Sequence, residues 1–113
     1  ADGTSAIADD KWHFIAAVAD ASKGKSSIWI DGKKEAEADF NKNSGYGTND
    51  GVVAIGRHYD RYTKGIIDDV GLFNVALTSD DIKTIMDAGL GGVSTAVSNL
   101  NKLAITWGEI RKR

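Results

Sequence analysis

The chain has 113 residues, of which 42% are hydrophobic, and no cysteine. This length predicts one domain with one core, and disulfides are excluded. The formal net charge of −2 argues against nucleic acid as the main partner. No apolar run approaches the roughly 20 residues that a membrane-spanning helix needs. We therefore expect neither a nucleic-acid nor a membrane partner.

The first half of the chain predicts three antiparallel strands. After a lead-in over residues 1–10, apolar residues alternate from Trp12 to Ala19 and again from Ser26 to Asp31, as in half-buried strands. Asp31-Gly32 is a strong hairpin signal, because a type I′ turn needs positive φ angles, which glycine adopts freely. The third strand, Lys33 to Phe40, must then pair antiparallel with the second.

The middle of the chain alternates between polar loops and apolar strands. Asn41 to Gly51 has no apolar period and predicts a long surface loop, whereas Val52 to Gly56 predicts a short buried strand. Arg57 to Lys64 predicts a second polar loop. From Gly65 to Asn74 the apolar residues fall on both sides of a two-residue period, which predicts a central strand with Asp68 turned toward the core.

A capping box marks the start of the only predicted helix. The Thr78 hydroxyl and the Asp81 carboxylate have the spacing that satisfies the first backbone N–H groups, and Gly89 suits the position after the last turn. The sequence therefore predicts a helix over residues Ser79 to Ala88, with one apolar stripe formed by Ile82, Ile85 and Met86.

The last part of the chain predicts a connector and a strand. Leu90 to Asn101 is rich in glycine, serine and asparagine, as connectors are. Residues Lys102 to Ile110 alternate as in a strand, although helical spacing fits almost as well. The β-branched Ile105 and Thr106, followed by Trp107, favour the strand.

Four short motifs follow one another along the chain. They are Lys11 to Ala16, the hairpin Ile28 to Lys33, Ala54 to Gly56, and Gly65 to Ile82 with the pattern G-x-I-D-D-V-x-L-F-N-x-A-L-T-x-x-D-I. Together they resemble the laminin G-like, or concanavalin A-like, jelly-roll domains of secreted bacterial proteins.

This resemblance implies an all-β, antiparallel β-sandwich of the jelly-roll type with one short α-helix. The single domain would span residues 1–113, with residues 90–113 as a connector and tail strand. Such domains usually have another half before the Trp12 strand, where only eleven residues stand here, so we expect the C-terminal portion of the fold.

The resemblance also implies a role. We expect a non-catalytic binding or adhesion module for carbohydrate or an extracellular protein, located outside the cell or on its surface. A glycoside hydrolase-type domain or remnant and a structural self-assembly module are the alternatives, and the fold alone does not decide among them.

Three acids on the third strand are candidate catalytic residues, because laminarinase-type hydrolases, which the resemblance includes, place their acids on one strand face. Glu35, Glu37 and Asp39 have the spacing that puts three carboxylates on one side of a strand. The hydrolase pattern requires its last acid one residue later, where Phe40 stands. We therefore expect a solvated acidic face and no enzymatic activity. We likewise expect His13 to be a structural histidine.

The loop with two tyrosines predicts a ligand-binding site. Sugar rings present apolar C–H faces and hydroxyl groups, which aromatic rings and planar polar groups bind together. The predicted site combines this loop with the preceding one and consists of Tyr46, Asn49, Arg57, His58, Tyr59, Asp60 and Tyr62. The alternative is that the tyrosines only cover the base of a loop.

Calcium is the one cofactor that the resemblance suggests. Asn49, Asp50 and Asp60 offer the hard oxygen ligands that calcium prefers. Turn chemistry alone also explains Asn49-Asp50-Gly51. Asp68 matches the usual acid of the family and is expected to be structural, paired with loop N–H groups or with Arg57.

The small number of predicted strands has a consequence for assembly. Strands at Trp12, Ile28, Val52 and Ile66 would find too few partners within one chain, and this would leave strand edges and an apolar face exposed. We therefore expect a homo-oligomer, most simply a two-fold dimer. Exchange of the last strand through the Leu90 to Asn101 connector is one route to it.

Overall fold

A computed structural model describes residues 2–41, 51–90 and 104–106, the last segment as backbone only. Within these residues the protein is mostly β, with antiparallel strand pairs and one short helix. In chain order the elements are β1 Ile15–Asp20, β2 Lys25–Ile30, β3 Lys33–Asp39, β4 Arg57–His58, β5 Arg61–Tyr62, β6 Gly71–Phe73, α1 Ser79–Ala88 and β7 Ala104–Thr106.

Strands β1, β2 and β3 form one antiparallel sheet in that order. The predicted type I′ turn is confirmed, because Asp31 and Gly32 both have positive φ, 49° and 78°. The first strand begins at Ile15 rather than Trp12. Its partner β2 ends at Ile30, directly opposite Ile15, so the earlier residues have no place in the ladder.

A bulge in β3 overturns the prediction that its three acids share one face. Ile28 pairs with Ala36 but the next residue, Trp29, pairs with Lys34, which leaves Glu35 as the extra residue. The Cβ of Glu35 and the Cγ2 of Ile28 both lie 3.9 Å from where a Cβ on Gly3 would sit. Glu35 therefore lies on the side of the sheet that the lead-in covers.

The segment from Val52 to Gly56 forms no strand, and that prediction is wrong. The side chains of Val52 and Val53 are 92% and 75% exposed, so neither is buried as predicted. Gly56 has a φ of 75°, and its carbonyl accepts a hydrogen bond from the Thr63 amide at 2.8 Å. This closes the predicted polar loop into a small hairpin, β4–β5.

The predicted central strand from Gly65 to Asn74 is shortened to β6, which pairs with β7. Asp69 adopts a left-handed φ of 51°, which interrupts the extended chain. Asp68 is exposed rather than core-facing, and its carboxylate accepts the Asp69 amide at 2.9 Å. The strand predicted around Ile105 is confirmed by β7.

Helix α1 has the predicted bounds and both predicted caps. Thr78 and Asp81 form the reciprocal capping box, and the Gly89 amide donates to the Ile85 carbonyl. Among the described residues the buried apolar side chains are Ile82, Ile85 and Leu90. Phe14, Phe73 and Leu77 pack against the latter two. No helix in the described ranges is long and apolar enough to cross a membrane.

Candidate ligand-binding site

The β4–β5 hairpin brings five of the predicted ligand-binding residues together. Arg57 pairs with Tyr62 and His58 with Arg61, so Tyr59 and Asp60 form a two-residue tip. Tyr59 adopts a positive φ of 53°, as the first residue of a tight hairpin turn must. Tyr46 and Asn49, which complete the predicted site, lie outside the described residues.

Arg57 is held in place by two contacts within the hairpin. Its Nε donates a hydrogen bond to the Tyr59 carbonyl at 2.9 Å. Its guanidinium carbon lies 5.7 Å from the centre of the Tyr62 ring, within the range of a cation–π interaction. The guanidinium plane is therefore oriented before any ligand arrives.

The aromatic side chains of the hairpin face solvent. Tyr59 is 80% exposed and Tyr62 67% exposed, which contradicts the alternative that they cover the base of a loop. The His58 and Tyr59 rings meet edge to face, with centroids 4.5 Å apart. Together with Asp60 and Arg61 they line a shallow, open depression. Arg61 belongs to the same predicted loop and lies on the strand of Tyr62.

The structure gives no support for the suggested calcium ligands. Asp60 stands at the hairpin tip, whereas Asn49 and Asp50 lie outside the described residues. In the parts of the chain that the structure describes, no three His, Cys, Asp or Glu side chains are grouped closely enough to hold a metal ion. Of the two kinds of partner predicted for Asp68, a loop N–H group is present, that of Asp69, whereas no ion pair joins Asp68 to Arg57 among the described residues.

A second polar cluster surrounds His13. Its Nδ1 lies 2.7 Å from a carboxylate oxygen of Asp31, and its Nε2 lies 2.8 Å from one of Asp9. Because carboxylates only accept hydrogen bonds, both ring nitrogens of His13 must donate. A histidine ring can do this only as the protonated imidazolium. The hydrogen bonds that His13 donates to Asp31 and Asp9 accordingly raise the pKa of His13. The prediction of a structural histidine is confirmed, and we call this cluster the His13 clasp.

The acids on β3 are engaged in local contacts. Glu35 accepts hydrogen bonds from the backbone amides and hydroxyl groups of Thr4 and Ser5, and the Ser5 hydroxyl is the main cause of its lowered pKa. Glu37 lies 2.7 Å from the ammonium of Lys34, which lowers the pKa of Glu37. Asp39 pairs with Lys25 at 2.5 Å.

Residues 1–83 match the model of one protein family, described as the concanavalin A-like lectin/glucanases superfamily. The chain belongs to this superfamily. The match covers the β1–β3 sheet, the hairpin and the start of α1, and it confirms both the resemblance found in the sequence and the concanavalin A-like fold. A search among curated proteins found no match.

The concanavalin A-like chain is also similar to a solved crystal structure. This structure comprises residues 221–444 of an S-layer domain-containing protein from Clostridium thermocellum ATCC 27405. The TM-score is 0.53 at 22% identity, over 74% of this chain and 43% of the other. At this identity the similarity concerns the fold alone. The chain spans less than half the length of that structure.

Proposed function

We propose that this concanavalin A-like chain is a non-catalytic carbohydrate-binding module of a cell-surface protein. The proposal rests on one observation, the guanidinium of Arg57 placed 5.7 Å from the centre of the exposed Tyr62 ring. These side chains combine apolar faces with oriented hydrogen-bond donors. A saccharide needs both, because each ring has apolar C–H faces and a rim of hydroxyl groups.

The contacts of the β3 acids support a non-catalytic role. A glycoside hydrolase needs one carboxyl group with a raised pKa, so that it stays protonated and can act as a general acid. The pKa values of Glu35 and Glu37 are instead lowered by hydroxyl, amide and ammonium partners. Glu35 is moreover separated from Glu37 by the bulge. Glu35 accepts hydrogen bonds from the lead-in, and Glu37 forms an ion pair with Lys34.

Two further observations support a location at the cell surface. The protein of similar fold from Clostridium thermocellum is named as S-layer domain-containing. The candidate site is fully accessible from solvent on an exposed hairpin tip, as binding to a large polymer requires.

Substitution of the hairpin tyrosines tests the proposal. We expect Tyr62→Ala to weaken saccharide binding by about 1–3 kcal/mol, because the ring contact is lost, whereas Tyr62→Phe keeps the ring and should bind nearly as well as the native chain. The melting temperature should barely change, since Tyr62 is exposed. Glycan-array screening followed by titration calorimetry measures the saccharide affinity of both variants.

Two results would contradict the proposal. An array without any hit would show that the chain does not bind the carbohydrates tested, and a protein would then be the expected partner. Release of reducing ends from a β-glucan by the native chain, lost in a Glu35→Gln/Glu37→Gln variant, would instead reveal a hydrolase.

A structural self-assembly module is the second candidate function. It is favoured by the apolar side chains exposed on the segments around the hairpin, Val52, Val53 and Ile66. Apolar side chains grouped at a surface are typical of protein–protein contacts. We propose that these exposed apolar side chains contact a second copy of the chain. Such a module would bind a polymer and also associate with itself.

A further inference from the structure

The β4–β5 hairpin carries positive charge in a chain that is acidic overall. From Arg57 to Lys64 there are three cationic side chains, Arg57, Arg61 and Lys64, and one carboxylate, Asp60. The segment therefore has a formal charge of +2 with His58 neutral, whereas the whole chain has −2. All of these side chains are exposed.

The hairpin cations have no acidic partner within the described residues, whereas four of the five lysines between residues 11 and 34 have one, Lys33 being the exception. Lys11, Lys23, Lys25 and Lys34 each lie within 4.0 Å of a carboxylate. No described carboxylate comes that close to Arg57, Arg61 or Lys64, not even that of Asp60 at the tip. The positive field of the hairpin thus stays available to an anionic ligand.

The orientation of Arg57 adds geometric selectivity to this charge. Its Nε already donates to the Tyr59 carbonyl, and its guanidinium carbon lies 5.7 Å from the centre of the Tyr62 ring. Arginine presents a fixed fork of N–H donors that matches the two oxygens of a carboxylate. A fork held by a neighbouring carbonyl and ring loses little conformational freedom when it binds.

We propose that the saccharide bound by the hairpin is acidic and carries a carboxylate, as a uronic acid does. Arg57 binds the carboxylate, Arg61 adds to the positive field, and the exposed ring of Tyr62 beside Arg57 contacts the apolar face of the sugar. This inference rests on the proposed function and names the ligand class of the same site.

The test uses saccharides in matched pairs that differ only in charge. The native chain is screened at low salt on an array of oligogalacturonides and glucuronate-containing oligosaccharides, each beside its fully methyl-esterified form. We expect the free acids to bind at least about tenfold more tightly than their esters, because an ionised hydrogen-bond partner roughly doubles the strength of the bond. Added NaCl should reduce this difference in affinity, because salt screens the attraction between the charges.

Three variants then assign the effect to Arg57. Arg57→Gln should lower the affinity for the free acid by about tenfold and the affinity for the ester by clearly less, so that the difference between acid and ester shrinks. Arg57→Lys keeps the charge but lacks the fork, so its affinity should be intermediate. Lys33→Gln removes the same charge from an exposed position on β3 and should behave like the native chain. Melting temperatures verify that each variant is folded.

The possible results separate this inference from the proposed function. Equal affinities for the acids and their esters would contradict the acidic ligand but not the carbohydrate-binding function. The same holds if Lys33→Gln lowers the affinity for the free acid as much as Arg57→Gln does. Absence of any binding, on this array and on neutral glycans, would overturn the proposed function and this inference with it.

Discussion

His13 joins the lead-in to the turn between β2 and β3. Its two ring nitrogens bind the carboxylates of Asp9 and Asp31, and Asp31 also accepts the Phe14 amide at 2.9 Å. The backbone N–H of Asp31 also donates a hydrogen bond to the Phe14 carbonyl. The segment before β1 is therefore tied to the sheet by side chains, in a place where the strand ladder has already ended.

The clasp predicts a pH dependence of stability with a defined sign. The pKa of His13 is raised above its ordinary value of 6.5, so its stabilisation is complete below that pH and is lost as pH rises through the raised pKa. The pKa values of Asp9 and Asp31 are lowered from 3.8, mainly by His13. Their stabilisation is lost only as pH falls below that value.

Urea unfolding between about pH 4 and pH 9 measures this dependence. We expect the free energy of unfolding of the native chain to decrease above about pH 6.5, and His13→Gln to flatten that part of the profile. His58→Gln is the matched control, because His58 lies on the hairpin away from the clasp and should leave the slope unchanged. Superimposable profiles for the native chain and His13→Gln would show that the clasp does not stabilise the fold.

Helix α1 supplies most of the buried apolar side chains among the described residues, and its ends are defined by local contacts. The Thr78 amide donates to the Asp81 carboxylate at 2.9 Å, and the Asp81 amide donates to the Thr78 hydroxyl at 3.2 Å. These bonds satisfy N–H groups that have no partner inside the helix. The start of α1 thereby also fixes where Ile82 enters the core.

We expect Thr78→Ala to lower the free energy of unfolding by about 1 kcal/mol, because the hydroxyl half of the capping box is lost. Ser79→Ala removes a hydroxyl group one residue later, outside the box, and should change stability by less than half as much. Thermal and urea unfolding provide the comparison. Equal effects of the two substitutions would show that the box contributes nothing beyond an ordinary surface hydroxyl.

The described residues bury little apolar surface. Ile82, Ile85 and Leu90 are the buried apolar residues within the described ranges, whereas Val52, Val53 and Ile66 are largely exposed. Both edges of the β1–β3 sheet, β1 and β3, are also without a further strand among the described elements. Exposed edges and apolar side chains favour association with another chain.

Sedimentation equilibrium over a wide concentration range tests the proposed homo-oligomer. We expect the native chain to associate at micromolar concentration and Val53→Ser/Ile66→Ser to shift toward monomer, because apolar contact area is removed. Lys33→Ser changes an exposed polar position instead and should not alter the association. A native chain that stays monomeric and unfolds cooperatively would show that one copy closes its own core.

Local sequence was sufficient for the elements that close over a few residues. Helix α1 has its predicted bounds because the capping box and Gly89 act within one turn of each end. The Asp31-Gly32 turn and the two strands beside it were predicted because the turn geometry depends on two φ angles. The hairpin residues of the candidate site were predicted for the same reason, since they are contiguous in the chain.

Contacts between distant segments could not be predicted from local patterns. Alternation suggested one long strand from Gly65 to Asn74, yet the strand pairing that the structure describes there, with β7, is confined to Gly71–Phe73, and Ile66 and Asp68 are exposed. The bulge at Glu35 and the pairing of His13 with Asp9 and Asp31 depend on which chain segment lies across the sheet. Backbone hydrogen bonds and buried charges need partners, and the folded chain, rather than the period of the sequence, determines which partners are present.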